Sequence, residues 1–203
     1  MGLPRARPWE AGRRGGRMPA ITGDMIRTMA ETPAGLLARL AALGIEAITT
    51  EHAPVFTVAE SQALRAKLPG GTDGGHSKNL FLRPAKAGPG PHLLAVLEET
   101  RQVSVNALAR AAGAGRVEMA PAAALQDLLG VLPGAVTPFG MVNAPPGAVR
   151  IVLDAGLMRD HAWVHFHPLV NSMTTAIRPA GLLRFLESLG HRPEPLELPP
   201  PAG

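Results

Sequence analysis

The sequence contains no cysteine, so disulfides, thiolate catalysis and cysteine-ligated zinc are excluded, and a reducing cytoplasm fits this composition. It has no run of 18 or more apolar residues, so no transmembrane helix and no membrane association are expected. The N-terminus lacks the apolar core of a secretory signal. G-x-S-x-G, P-loop and dinucleotide-binding fingerprints are missing, and no Ser-His-Asp arrangement stands out. The chain therefore offers no obvious nucleophile and no obvious general base.

What is there describes a globular chain. Of 203 residues 46% are apolar, enough for one buried core and one domain, with two small domains as the alternative. Gly 23 and Pro 21 imply many turns. The net charge of +4 and the pI near 10.6 suggest a nucleic-acid footprint, but five arginines against two acids in residues 1–24 hold most of that charge. The body is nearly neutral. Residues 1–31 read as a disordered basic extension, with a functional RNA-binding tail as the rival reading, and Met18 and Met25 are both plausible initiators. Residues 32–198 form the predicted domain, followed by a tail over 199–203.

From Thr32 the pattern is regular. "TPAGLLARLAALGI" reads as a helix with Thr32 as N-cap, Pro33 in its first turn and Gly44 as its stop; Leu36, Leu37, Leu40 and Leu43 share one face. Further helices are predicted over 59–68, from Ser104 to Gly113, over "APAAALQDLLG" and over "RPAGLLRFLESLG". "KNLFLRP", "HLLAVLEE", "RVEMA", "VRIVLDAGL" and "HAWVHFH" read as strands, and "PGGTDGGHS" as a mobile loop. Helices and strands mix without strict βαβ alternation, which predicts an α/β domain with a mixed, mostly antiparallel sheet flanked by helices.

Three groups are candidates for chemistry. Lys78 sits in "GGHSKNLFLRP", where a glycine-rich loop becomes a buried strand. It is either a snorkelling surface lysine or a cation aimed at a carbonyl or phosphate oxygen. Asn79 reaches the same ligand only if the strand begins after Lys78, because strand neighbours face opposite ways. "GAVTPFG", Gly134 to Gly140, is a turn able to present backbone N–H groups to an oxyanion, or an ordinary loop. "HAWVHFHP" places His161, His165 and His167 on one face of a strand. His161 and His167 would then be ~20 Å apart, too far to share zinc. A single His167 hydrogen-bonding a substrate is the more economical reading, and a structural histidine the bland one.

"EHAPVFTV", "HSKNLFL", "GAGRVEMA", "LLGVLPGAVTPFG" and "FHPLVNSMTT", in this order, resemble the prolyl-tRNA editing superfamily, over roughly residues 32 to 198. These are free-standing relatives of the editing domain inserted in bacterial prolyl-tRNA synthetase. The branch most resembled removes alanine mischarged onto tRNA for proline. The resemblance implies the family's α/β editing fold, no cofactor, and aminoacylated tRNA as partner, with prolyl-tRNA synthetase or an elongation factor as a further one. It implies that Lys78 is the pocket lysine, Asn79 the polar residue beside it, and Gly134 and Pro138 the ends of a Gly-x-x-x-Pro loop against the aminoacyl group. Thr137, Phe139 and Gly140 belong to that loop. His167 falls at the position that is histidine in this branch, and Phe56 and Thr57 on the wall near the entrance. A shallow pocket lined by Val58, Leu80 or neighbours is expected to exclude proline by size. Rival readings are a deacylase for Cys- or Ser-charged tRNA, a non-catalytic module binding tRNA ends, and a zinc hydrolase built on the histidine strand.

Overall fold

The computed structural model of the protein describes residues 30–53 and 64–198. The chain runs α1 (Pro33–Ala42), β1 (Ala47–Glu51), β2 (Gly75–Pro84), β3 (His92–Glu98), α2 (Val105–Ala111), β4 (Val117–Met119), α3 (Ala122–Leu129), β5 (Val149–Asp154), α4 (Ala155–Asp160), β6 (Val164–Phe166), β7 (Met173–Ile177), α5 (Pro179–Ser188) and β8 (Glu194–Leu196). The strands form one sheet in the order β1-β7-β6-β2-β3-β5-β8, with β4 paired to β2. Four of the pairings are antiparallel and three parallel, the mixed, mostly antiparallel sheet the sequence predicts.

Both sheet faces are covered. Phe81, Leu94, Val96, Ile151 and Leu153 pack with Leu36 and Leu40 of α1, Leu129 of α3 and Leu182 and Phe185 of α5. Their strand neighbours Leu82, Leu93, Ala95, Leu97 and Val152 pack with Leu108 of α2. Burial on both sides explains why "HLLAVLE" is continuously apolar rather than alternating.

Locally encoded features fall where the residues place them. Thr32 caps α1, its hydroxyl accepting from Gly35 N–H at 3.0 Å. Ser104 caps α2 in the same way.

Several boundaries differ from the sequence reading. β2 begins at Gly75, inside the predicted mobile loop, which also holds a 3-10 turn over Gly71–Asp73. β5 stops at Asp154 because that carboxylate accepts from Gly156 N–H at 3.0 Å and starts α4, so the last three residues of the predicted strand "VRIVLDAGL" are helix. The histidine strand shrinks to Val164–Phe166. β7 and β8 are absent from the sequence reading and are strands because β1, β6 and β5 pair with them. The extension over 1–31, apart from Ala30 and Glu31, and the helix over 59–68, apart from its last residues, lie outside the described residues, as does the tail over 199–203. Glu31 is tied to the domain, its N–H donating to Asn143 Oδ1 at 2.7 Å.

Among the described residues no helix is long and apolar enough to cross a membrane.

Candidate active site

The sheet is thinnest where β2 meets β6. These strands pair in parallel through only Gly75 with Val164 and His76 with His165, and then part. Among the described residues no strand pairs with the edge of Ser77 to Leu80 that faces away from β3.

Because β2 has begun by Gly75, Lys78 and Asn79 point to opposite faces of the sheet. Lys78 lies on the α2 face, where its ammonium donates to the Arg101 carbonyl. Asn79 lies on the other face, where Nδ2 donates to Val136 O at 2.8 Å. The two residues do not meet at one point. Leu80, on Lys78's side, packs among the residues around α2 and does not line a pocket with the 134–140 loop. Phe56, Thr57 and Val58 lie outside the described residues.

The carbonyl that Lys78 holds is set by a buried ion pair. Arg101 Nε and Nη2 donate to Asp154 at 2.9 and 3.1 Å, and Asp154 is fully buried. The same carboxylate accepts from Glu98 N–H at 3.2 Å. Asp154 is thus a cap and also a counter-ion of a buried cation.

The 134–140 loop has a turn at one end and a core plug at the other. Ala135 N–H donates to Leu132 O at 3.0 Å across a turn centred on Pro133 and Gly134, and Gly134 has φ +88. Pro then Gly with positive φ is the type II pattern, which explains the glycine of the Gly-x-x-x-Pro loop by backbone geometry. Pro138 opens a 3-10 turn over Pro138–Val142, capped by the Thr137 hydroxyl, which accepts from Phe139 N–H at 3.3 Å. Phe139 is buried edge-on against Phe166 and Phe185. A Cβ on Gly140 would lie 3.0 Å from that of Leu129, so a larger residue would push the loop off α3. Among the described residues, no hydrogen bond uses the N–H of Gly134, Val136 or Thr137. Those of Ala135, Phe139 and Gly140 are spent on Leu132 O, the Thr137 hydroxyl and Thr137 O.

His167 follows β6. Its Nδ1 lies 2.9 Å from the Met173 carbonyl, which only accepts, so Nδ1 carries a proton. In the neutral ring Nε2 is then an acceptor. The turn beyond it holds Leu169 at φ +70, and Leu169 N–H donates to His167 O at 2.9 Å. Asn171, in that turn, approaches Gly134, since a Cβ there would lie 4.0 Å from its Nδ2. The His167–Met173 turn and the 134–140 loop are therefore neighbours.

His52 was not singled out from the sequence, although it stands in the "EHAPVFTV" segment. Its ring centroid is 6.4 Å from that of His167, and Nε2 meets Thr174 Oγ1 at 2.8 Å. Glu51, His52, Ser172 and Met173 line an open pocket of about 500 Å³.

The other histidines are placed differently. His165 stacks on His76 at 4.7 Å, and its Nε2 meets Pro69 O at 3.0 Å. Burial, and then the neighbouring His165, push the His76 imidazole down to about 3; burial also lowers His165. His161 Nδ1 meets Asp73 O at 2.8 Å. Among the described residues no three His, Asp or Glu are grouped so as to hold a metal ion. Of the three histidines of "HAWVHFH", His161 and His165 thus lie against Gly75 and Gly74 at the start of β2, and His167 lies apart beside Met173.

A family model for the aminoacyl-tRNA editing domain matches residues 52–185. The chain is 38% identical over 167 residues to a Bos taurus protein named prolyl-tRNA synthetase associated domain-containing protein 1, covering 81% of this chain and 94% of the relative. It is 30% identical over 163 residues to the prolyl-tRNA editing protein ProX of Acetoanaerobium sticklandii, covering 80% and 95%. A solved structure described as a candidate trans-editing enzyme for prolyl tRNA synthetase shares the fold, with TM-score 0.58 at 20% identity, over 83% of this chain and 99% of that one.

Proposed function

This chain belongs to the aminoacyl-tRNA editing domain family, and on that premise we propose that its substrate is alanine mischarged onto tRNA for proline. The protein is a trans-editing deacylase acting on the ester between an amino acid and tRNA. The identity of the amino acid and the path of the reaction are our reading.

The observation that carries it is the stretch Gly134–Thr137, with three unbonded amides, anchored at both ends and gripped by Asn79. An aminoacyl ester is already activated, so the protein has to hold it, polarise its carbonyl and admit water. Water adds to the ester carbonyl and the charge on the resulting oxyanion is taken up by loop N–H groups. The carbon–oxygen bond to the ribose then breaks. The neighbouring hydroxyl of the terminal ribose orients the water and relays its proton to the leaving oxygen. The substrate thereby supplies a group the chain lacks. Asn79 Oδ1 is buried without a partner, at a cost of ~1–3 kcal/mol, and accepts from the substrate's α-ammonium. His167 Nε2 positions the water by hydrogen bonding. Lys78, on the opposite face from Asn79, meets the terminal phosphate rather than the aminoacyl group and leaves the Arg101 carbonyl to do so. No cofactor enters this path.

Proline is refused by size. One extra methylene gives roughly 10–200-fold discrimination when a pocket selects by attraction, so a wall that the larger ring strikes is the better device for retaining the cognate product. The walls are the 134–140 loop and the His167–Met173 turn, which Asn171 and Gly134 bring together. Prolyl-tRNA synthetase or an elongation factor hands over the tRNA, since the body of the chain carries little net charge of its own. A cytoplasmic location suits a chain without cysteine.

Single-turnover hydrolysis of Ala-, Pro- and Cys-tRNA(Pro) tests this. Loss of alanine alone supports the reading. Loss of cysteine instead moves the chain to another specificity, and no turnover of any substrate leaves a module that binds tRNA ends.

A further inference from the structure

We propose that Asn79 is a positioning residue for deacylation, which acts by gripping the Val136 carbonyl and so aiming the unbonded amides beside it. This rests on the deacylase reading. The orientation of the Asn79 amide is forced, because a carbonyl accepts only and the nitrogen must be the atom 2.8 Å from Val136 O. Val136 lies between the two anchors of its loop. Ala135 before it is pinned by the turn bond to Leu132, and Phe139 after it is buried against Phe166 and Phe185. Between these anchors the grip of Asn79 is the one side-chain hydrogen bond to a loop carbonyl among the described residues.

That grip sets a direction. Every peptide bond among the described residues is trans, so the C=O of Val136 and the N–H of Thr137 point opposite ways across one plane. With the carbonyl on Asn79, the Thr137 N–H is turned away from the sheet. Among the described residues, Thr137 N–H and Val136 N–H, on either side of the gripped group, are both without an acceptor. Release of the carbonyl frees the 136–137 plane to rotate and carries the Thr137 N–H out of its alignment with that of Val136.

Asn79→Asp separates this role from substrate contact. The aspartate keeps an acceptor at the Oδ1 position but, when ionised, cannot donate to Val136 O. At pH 7.5 its kcat is expected to fall about 10²-fold, as for loss of an oxyanion donor, with KM for Ala-tRNA(Pro) within about twofold of wild type. As the pH falls and the carboxylate takes up a proton, it donates again, and the ratio to wild type recovers. Asn79→Ala shows the same loss of kcat without recovery. A rise in KM with kcat unchanged, or a loss in Asn79→Asp that is equal at every pH, overturns the proposal. Amide NMR spectra of the full chain show that each variant is folded and decide the case if wild type deacylates nothing. The Val136 and Thr137 resonances are expected to move in Asn79→Asp at pH 7.5 and to return at low pH. Resonances that stay in place overturn the positioning role whether or not the deacylase reading survives.

Discussion

The imidazole of His165 occupies the space a side chain on Gly74 would need: a Cβ built there lies 2.2 Å from Cε1 of the ring. Gly75 is similarly close to Leu157 and His161, at 2.9 and 3.0 Å. The two glycines before His76 are there so that two imidazoles from the other half of the chain can approach β2. Gly74→Ala is expected to cost ~1–3 kcal/mol by overpacking. Urea unfolding of Gly74→Ala, His165→Ala and the double variant measures this. The double variant should recover most of the loss that Gly74→Ala causes, and additive losses would contradict the contact.

His76 makes the protein acid-sensitive. Its imidazole, lowered from 6.5 to about 3 by burial and by His165, stays neutral in the fold where the unfolded chain takes up a proton. The contribution is therefore fully present above pH 6.5, and stability falls as the pH drops from there towards 3. His165 shifts in the same direction. His76→Gln should flatten the pH dependence of the urea midpoint between pH 6.5 and 4. An unchanged slope would remove His76 as its source.

Much of this pattern was closed to sequence reasoning, for physical reasons. The Thr32 cap and the apolar face of Leu36 and Leu40 are local, so the order of residues is enough to find them. Gly74 and Gly75 instead answer to His165 and His161, some ninety residues away, and a Gly-Gly pair without that knowledge reads as a loop. The start of β2 was misplaced as a result, and the opposed directions of Lys78 and Asn79 with it. β7 is a five-residue "MTTAI" whose identity comes from its partners β1 and β6. The loop fared better, since Pro133-Gly134 and Thr137-Pro138 carry their turn and cap chemistry in the local sequence. The family resemblance was legible as well, because its motifs recur in order.

Asp154 holds four donors, from Arg101 Nε and Nη2 and from the Glu98 and Gly156 backbones. Its removal takes from the buried Arg101 guanidinium the carboxylate it is hydrogen-bonded to, with Glu98 at 3.8 Å a longer contact. Asp154→Ala should lose ~3–5 kcal/mol in urea unfolding, the range for a buried pair broken on one side. A loss below 1 kcal/mol would mean that water replaces the carboxylate.

His167 is expected to assist and not to be indispensable. His167→Asn retains a donor for the Met173 carbonyl and lacks the Nε2 acceptor. Both His167→Asn and His167→Ala should lower kcat about 10–10²-fold and stay well above the rate without protein, since a group that only positions the water contributes less than the roughly 10²–10⁴-fold typical of a general base. Complete loss of deacylation with tRNA binding intact would make His167 an obligatory base and overturn its role here.

The most direct measurement is the rate at which the wild-type chain and Lys78→Ala release alanine from Ala-tRNA(Pro), with Pro-tRNA(Pro) alongside. Rapid loss of alanine, proline left in place, and a loss of rate in Lys78→Ala are the predicted result. Equal hydrolysis of both aminoacyl-tRNAs, or none of either, would contradict the account.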